Sequence, residues 1–152
     1  MATATVKVVI RLELGSAADV VEIQSLLEAA GLPRDGLLTV PTRVVVARRH
    51  HEVVAAGALE RHGSDGLIRS LVVSPEVRSQ GVGSGIVAEL ERQAVDWGLD
   101  GAYLLTESAA GFFERLGYRG IGRDEAPDAV RQSAEWATVC DQTAIPMMRA
   151  FP

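Results

Sequence analysis

The residues whose types and spacing could do chemistry lie in the stretch 70–85, Ser-Leu-Val-Val-Ser-Pro-Glu-Val-Arg-Ser-Gln-Gly-Val-Gly-Ser-Gly. A β-branched apolar run enters a glycine-rich turn carrying one arginine, Arg78, and an amphipathic helical pattern follows at once. Glycine lets the backbone curl and removes side chains that would hold a ligand away. Successive N–H groups at a helix N-terminus, with the macrodipole behind them, favour an anion. The chemistry implied is the holding of a phosphate. Short glycine patterns also serve as plain connectors, so their context has to decide.

Two nucleotide-binding patterns are excluded. A Walker A loop requires Lys-Ser/Thr after its glycines, and none is present. Gly83-x-Gly85-x-x-Ala88 has the spacing of the dinucleotide fingerprint, with Glu107 at about the distance of a ribose contact. However, Ser74 to Gln80 intervenes between the strand and Gly83, whereas that fingerprint turns directly off its strand. The pattern upstream is also an antiparallel meander rather than a βαβ start.

The elements that must position this turn read as follows. Residues 6–12 form a first strand, and Ser16-x-x-Asp19 is a capping-box signature. Val20, Ile23, Leu26, Leu27 and Ala30 then recur at helical spacing until Gly31 and Pro33, and residues 31–41 form a loop. Residues 43–49 and 53–60 make a hairpin, and 67–73 adds the third strand of a meander. A helix over 83–97 stops at Gly98, and 102–106 is a strand parallel to the third across that helix. A short helix over 109–116, a strand from Tyr118, one helix beginning at Pro127 and running through Val130, Ala134 and Ala137, and a last strand over 143–148 complete the chain. Pro146 places that last strand at an edge or a bulge. Trp97 and Trp136 read as core or interface anchors. The fold class is α+β.

Bulk properties narrow the function. The chain of 152 residues, 47% hydrophobic and 23% charged, reads as a single domain over 1–152. Its net charge of −5 lacks a basic footprint, which argues against nucleic acid and requires any phosphate to be held locally. No apolar run approaches the roughly 20 residues that span a bilayer, and residues 1–11 have no secretory pattern. The single cysteine, Cys140, excludes an internal disulfide and reads as a small buried apolar group. The expected setting is cytoplasmic, with no membrane partner. His50, His51 and His62 occupy turns and have no metal-ligand spacing with Cys140, so no metal is expected.

Arg78-Ser79-Gln80-Gly81-Val82-Gly83 fits the Arg/Gln-x-x-Gly-x-Gly/Ala acetyl-coenzyme A signature. With the hairpin, the Leu-Val-Val-x-Pro lead-in and Phe112-Phe113-Glu114-Arg115-Leu116-Gly117-Tyr118, the chain resembles the GNAT superfamily of N-acetyltransferases over nearly its whole length. Residues 58–63, 67–71 and 103–107, with the tail from Asp124 to Cys140, look like the short acetyltransferases of arsenic-resistance operons. The middle segments also resemble the acetyltransferase domain of N-acetylglutamate synthases.

The resemblance implies a mixed sheet with an antiparallel meander, a splayed parallel pair and flanking helices, and a bacterial setting in which a homodimer is common. Acetyl-CoA is the implied co-substrate, with a small-molecule amine, an amino acid or amino-acid-like toxin, as acceptor; the operon likeness suggests detoxification and arsenic resistance. Leu71, Val72 and Val73 would pair with the pantetheine, Arg78, Ser79, Gln80, Gly81, Val82, Gly83 and Ser84 would cradle the pyrophosphate, and Phe112 and Phe113 would wall the channel. The backbone N–H of Val73 would polarise the acetyl carbonyl. Glu60 would remove the acceptor's proton, or is a solvated strand-end charge. Arg69 would grip a carboxylate bidentately, or is a structural ion-pair partner; Thr106 would line the acceptor site. Many relatives carry a tyrosine acid where this chain has Phe113, which leaves open a non-catalytic acyl-CoA sensor.

Overall fold

The structure, a computed structural model, describes residues 9–138 and 143–152. Seven strands form one mixed sheet: β1 (Ile10–Leu14), β2 (Thr42–Arg49), β3 (Glu52–His62), β4 (Asp65–Val73), β5 (Gly101–Thr106), β6 (Arg119–Gly120) and β7 (Ile145–Ala150), in the spatial order β1-β2-β3-β4-β5-β7-β6. All neighbours are antiparallel except β4 and β5. The helices are α1 (Val20–Ala29), α2 (Val82–Asp96), α3 (Ala110–Arg115), α4 (Asp128–Arg131) and α5 (Ala134–Thr138). The mixed α+β architecture is the one expected, meander and parallel pair included.

Alternation along the strands sorts side chains to opposite faces. Val45, Ala47 and Leu59 pack with Ile86, Val87 and Leu90 of α2 and with Phe113 of α3. On the other face Val44, Val46 and Val72 pack with Ile23 and Leu27 of α1. Farther along, Leu67 and Tyr103 meet Val130 and Trp136 from the α4–α5 segment. The capping box forms: Ser16 N–H donates to Asp19 at 2.9 Å, and Ser16 Oγ accepts from Ala18 N–H at 3.3 Å. Arg48 binds the same carboxylate at 2.6 Å, and that bond holds the Asp19 carboxyl below the usual range.

Three expectations are corrected. The first strand covers Ile10–Leu14; the part expected over 6–8 lies outside the described residues, as does Cys140. The helix expected as one unit from Pro127 is two, because the Ser133 hydroxyl donates to Val130 O at 2.6 Å and accepts Trp136 N–H at 3.3 Å, ending one helix and starting the next. Finally, β7 is no edge strand: it pairs with β5 and β6. Pro146 is tolerated because its carbonyl, which accepts Ile121 N–H at 3.0 Å, points away from β5. In an antiparallel ladder N and O of one residue share a side, so the missing donor leaves the β5 ladder intact.

Gly57 lets α2 approach β3. A Cβ there would lie 2.8 Å from Ile86 Cγ2 and 2.9 Å from Leu90 Cδ1. We expect Gly57→Val to lower stability by about 1–3 kcal/mol through overpacking, read as a fall in the urea midpoint at constant m-value; an unchanged midpoint would disprove the close-packing role.

Candidate active site

The site begins where β4 departs from regularity. Ala56 pairs with Val72 and Ala58 with Arg69, so Ser70 and Leu71 together face Gly57 alone. This is a β-bulge, and Ser70 takes the left-handed conformation at φ +57°. On the other side, the ladder between β4 and β5 contains Gly66–Ala102 and Leu67–Tyr103 and then ends. The parallel strands diverge, and a cavity of about 430 Å³ opens between them, lined by Arg69, Ser70 and Leu71 of β4, Thr106 of β5, Phe113 of α3 and Glu135 of α5, among others.

The backbone beyond the bulge turns off the β3 ladder. Ser74 N–H donates to Val54 O at 2.8 Å. Bonding alternates along an antiparallel ladder, so the N–H and C=O of Val73 point away from β3, to the side that β5 has left. In keeping with this, Val73 O accepts Arg78 Nε at 3.3 Å. The Val72 side chain is buried in the α1-side core, whereas Val73 is half-buried against the α2-side core.

The glycine turn sits beside the same edge. Ser79 and Gly81 have φ +67° and +76°, which curls the chain before α2. The first helical bond runs from Gly85 N–H to Gly81 O at 3.0 Å, so the N–H groups of Val82, Gly83 and Ser84 precede the helical ladder. Arg78, Ser79, Gln80 and Gly81 are exposed, Val82 is buried in the core and Ser84 is half-buried. A Cβ on Gly83 would touch Phe112 Cζ and Val73 Cγ2, both at 3.5 Å. Phe112 meets Phe113 edge-on with ring centres 5.0 Å apart. Turn, strand and aromatic pair therefore converge, and the cradle fits a phosphate-bearing ligand.

Glu60 and Arg69 are not where a solvated reading would put them. Glu60 is 2% exposed and Arg69 4%, and they pair at 3.1 Å. The other Glu60 oxygen meets His62 Nε2 at 2.9 Å, and Glu60 is not among the residues lining the cavity. Arg69 also donates to Asp35 O at 2.6 Å, Gly36 O at 3.4 Å and Ser70 Oγ at 3.3 Å. Four of its five N–H groups are thereby committed, which supplies the ion-pair reading and leaves no fork for a bidentate grip. Its work in this fold is to fasten the 31–41 loop, whose Gly31, Leu32 and Pro33 form part of the cavity wall.

Thr106 is 9% exposed, and its hydroxyl oxygen accepts Ala109 N–H at 2.9 Å, fixing the entry to α3. Tyr118 does not replace the absent tyrosine acid: its hydroxyl donates to Glu91 at 3.1 Å, and burial pushes it far up from the usual phenol range. Sequence reasoning missed Glu135. Nothing in the local pattern of α5 distinguishes it, because only the packing of α5 over the sheet brings it to the cavity.

Removing one member of a buried ion pair leaves the other uncompensated. We expect Arg69→Met to cost about 3–5 kcal/mol, with part recovered in the double variant Arg69→Met/Glu60→Gln. Denaturant unfolding of the singles and the double decides it; a single-variant loss near zero would contradict the clamp.

A family model described as the acetyltransferase (GNAT) domain matches residues 41–120. An uncharacterized N-acetyltransferase of Chlorobaculum tepidum is 35% identical over 63 residues, which cover 41% of this chain and only 40% of that protein. Among solved structures, the N-acetylglutamate synthase of Neisseria gonorrhoeae, complexed with coenzyme A and N-acetyl-glutamate, superposes with a TM-score of 0.79 at 19% identity, covering 96% of this chain and 36% of that one. A GNAT-family acetyltransferase of Staphylococcus aureus gives 0.78 at 16% identity over 95% and 100%. A Mycobacterium tuberculosis protein solved with CoA gives 0.76 at 23% identity over 93% and 99%. Splayed strands, glycine cradle and family match over 41–120 agree: the chain belongs to the GNAT family of acetyltransferase domains.

Proposed function

We propose that this protein transfers the acetyl group of acetyl-CoA to the primary amine of a small molecule, an amino acid or amino-acid-like compound. The observation that carries the reading is the Val73 backbone, turned off the β3 ladder to the side that β5 has left, with the glycine turn packed beside it. In this reading Leu71, Val72 and Val73 run beside the pantetheine as an added strand would. Arg78 and the backbone from Ser79 through Ser84 hold the pyrophosphate, and Phe112 and Phe113 wall the acyl end. The Val73 N–H donates to the carbonyl oxygen as negative charge develops there.

The neutral amine attacks the carbonyl carbon directly, and the thiolate leaves. Much of the acceleration comes from holding both reactants in one slot, which accommodates Phe113 in the place of an acid. Thr106 and the remaining N–H of Arg69 are the polar groups offered to the acceptor from the two strands. The amino-acid class draws support from Arg69 in the cavity wall and from the likeness to a synthase solved with N-acetyl-glutamate. Glu60 acts here by orienting Arg69 through their 3.1 Å pair.

Acetyl-CoA at about 100 times its Kd should raise stability by roughly 2.7 kcal/mol. Arg78→Ala combined with Gly83→Val should weaken binding by about tenfold or more, since a charge-assisted bond is lost and branched methyls enter the cradle. Titration calorimetry, together with thiol release over a panel of amino acids, amines and peptides, tests both points. Wild-type affinity in the double variant would misplace the cradle. Binding without any turnover would favour the sensor.

A further inference from the structure

Two carboxyl groups line the cavity without a role in the scheme above, and of these Glu107 is exposed whereas Glu135 is half-buried. Glu135 extends from α5 and shares the wall with Arg69, Ser70 and Thr106. Its place is determined from behind. Trp136, the next residue, is 5% exposed and packs with Leu67, Tyr103 and Val130, and its N–H is capped by Ser133. Pinned on that side, the short helix presents the neighbouring side chain to the slot.

The charges facing it come from three strands. Arg69 of β4 attracts the carboxylate and Glu60 of β3 repels it, His62 stands behind Glu60, and Glu107 after β5 lines the same cavity. Arg69 is already paired with Glu60, so its charge is half answered. Burial is the largest effect, Arg69 opposes it and Glu60 adds to it; the Glu135 carboxyl is pushed from the ordinary glutamate value near 4.5 up to about 7. A group poised there exchanges protons readily near neutrality.

We propose that Glu135 is the general base of the reaction, taking a proton from the acceptor's ammonium inside the cavity. This rests on the acetyltransferase reading. The ammonium passes one proton to the Glu135 carboxylate. The freed lone pair attacks the acetyl carbonyl carbon, the C–N bond forms, and the C–S bond breaks with its electron pair on sulfur. The second nitrogen proton goes to the thiolate, giving free thiol and amide, and Glu135 returns its proton to solvent. Among the described residues, the carboxyl groups of Glu60, Glu107 and Glu135 outnumber the Arg69 guanidinium around this slot, so the acceptor favoured is one that arrives as an ammonium.

The test compares wild type, Glu135→Gln and Glu135→Asp, with thiol release measured from pH 5 to 9 at saturating acetyl-CoA over the same acceptor panel and acetyl-CoA affinity measured separately. Expected are a kcat lowered by about 100-fold or more in Glu135→Gln, loss of the acidic limb near pH 7, unchanged acetyl-CoA affinity and partial rescue in Glu135→Asp. Stability gives an independent readout. The folded group keeps its proton between about pH 4.5 and 7, so wild-type stability should fall relative to Glu135→Gln as pH rises through that window and run parallel above it. Wild-type kcat and acidic limb in Glu135→Gln would overturn the assignment while leaving the acetyltransferase reading standing. Equal loss in both variants, with weakened acetyl-CoA binding, would make the residue structural and also overturn it. A wild type that binds acetyl-CoA but turns over no acceptor would overturn the acetyltransferase reading and this assignment with it.

Discussion

The structure depends on one local irregularity, the bulge at Ser70 and Leu71 opposite Gly57. A regular β4 would continue its ladder with β3 on one side and with β5 on the other, leaving no backbone group for a ligand. The extra residue bends the strand, and the parallel ladder stops after Leu67–Tyr103. Buried backbone donors are rarely left unpaired, so a strand with its N–H groups turned to the side that β5 has left invites a ligand that completes the sheet.

The bulge is held in place from both faces. Gly57 lacks the side chain that would push Ile86 and Leu90 of α2 outward, so the helix and the glycine turn at its start stay close to the strand. Opposite, Arg69 lies beside the bulge and bonds Ser70, Glu60 and two carbonyls of the 31–41 loop. A guanidinium is suited to this, because its planar array of donors can satisfy several acceptors at once. The same contacts concentrate charge behind the cavity, and that charge sets the environment in which Glu135 sits.

Much of the fold was legible because its signals are local. The capping box at Ser16 and Asp19, the stops at Gly31 and Gly98, and the alternation through β2, β3 and β4 each follow from a few adjacent residues. The errors have a common origin in contacts between distant residues. Pro146 reads as an edge signal until the direction of its carbonyl is known. The break at Ser133 depends on a hydroxyl that bonds in both directions. Glu60 has the sequence signature of a strand end, yet β3 runs on to His62 and Glu60 is buried, paired with Arg69 and His62.

For the site, residue order alone determined the glycine turn and the strand that leads to it, since both are contiguous and need only glycines, one arginine and a helix start. Tertiary structure alone decided the cavity wall opposite. Arg69, Thr106 and Glu135 come from β4, β5 and α5, and their meeting is set by sheet order and by the packing of Trp136. The charges of Arg69 and Glu135 act through space, and there burial and neighbours outweigh residue type. A carboxylate at position 135 is written in the chain; its poise near neutrality is a property of the fold.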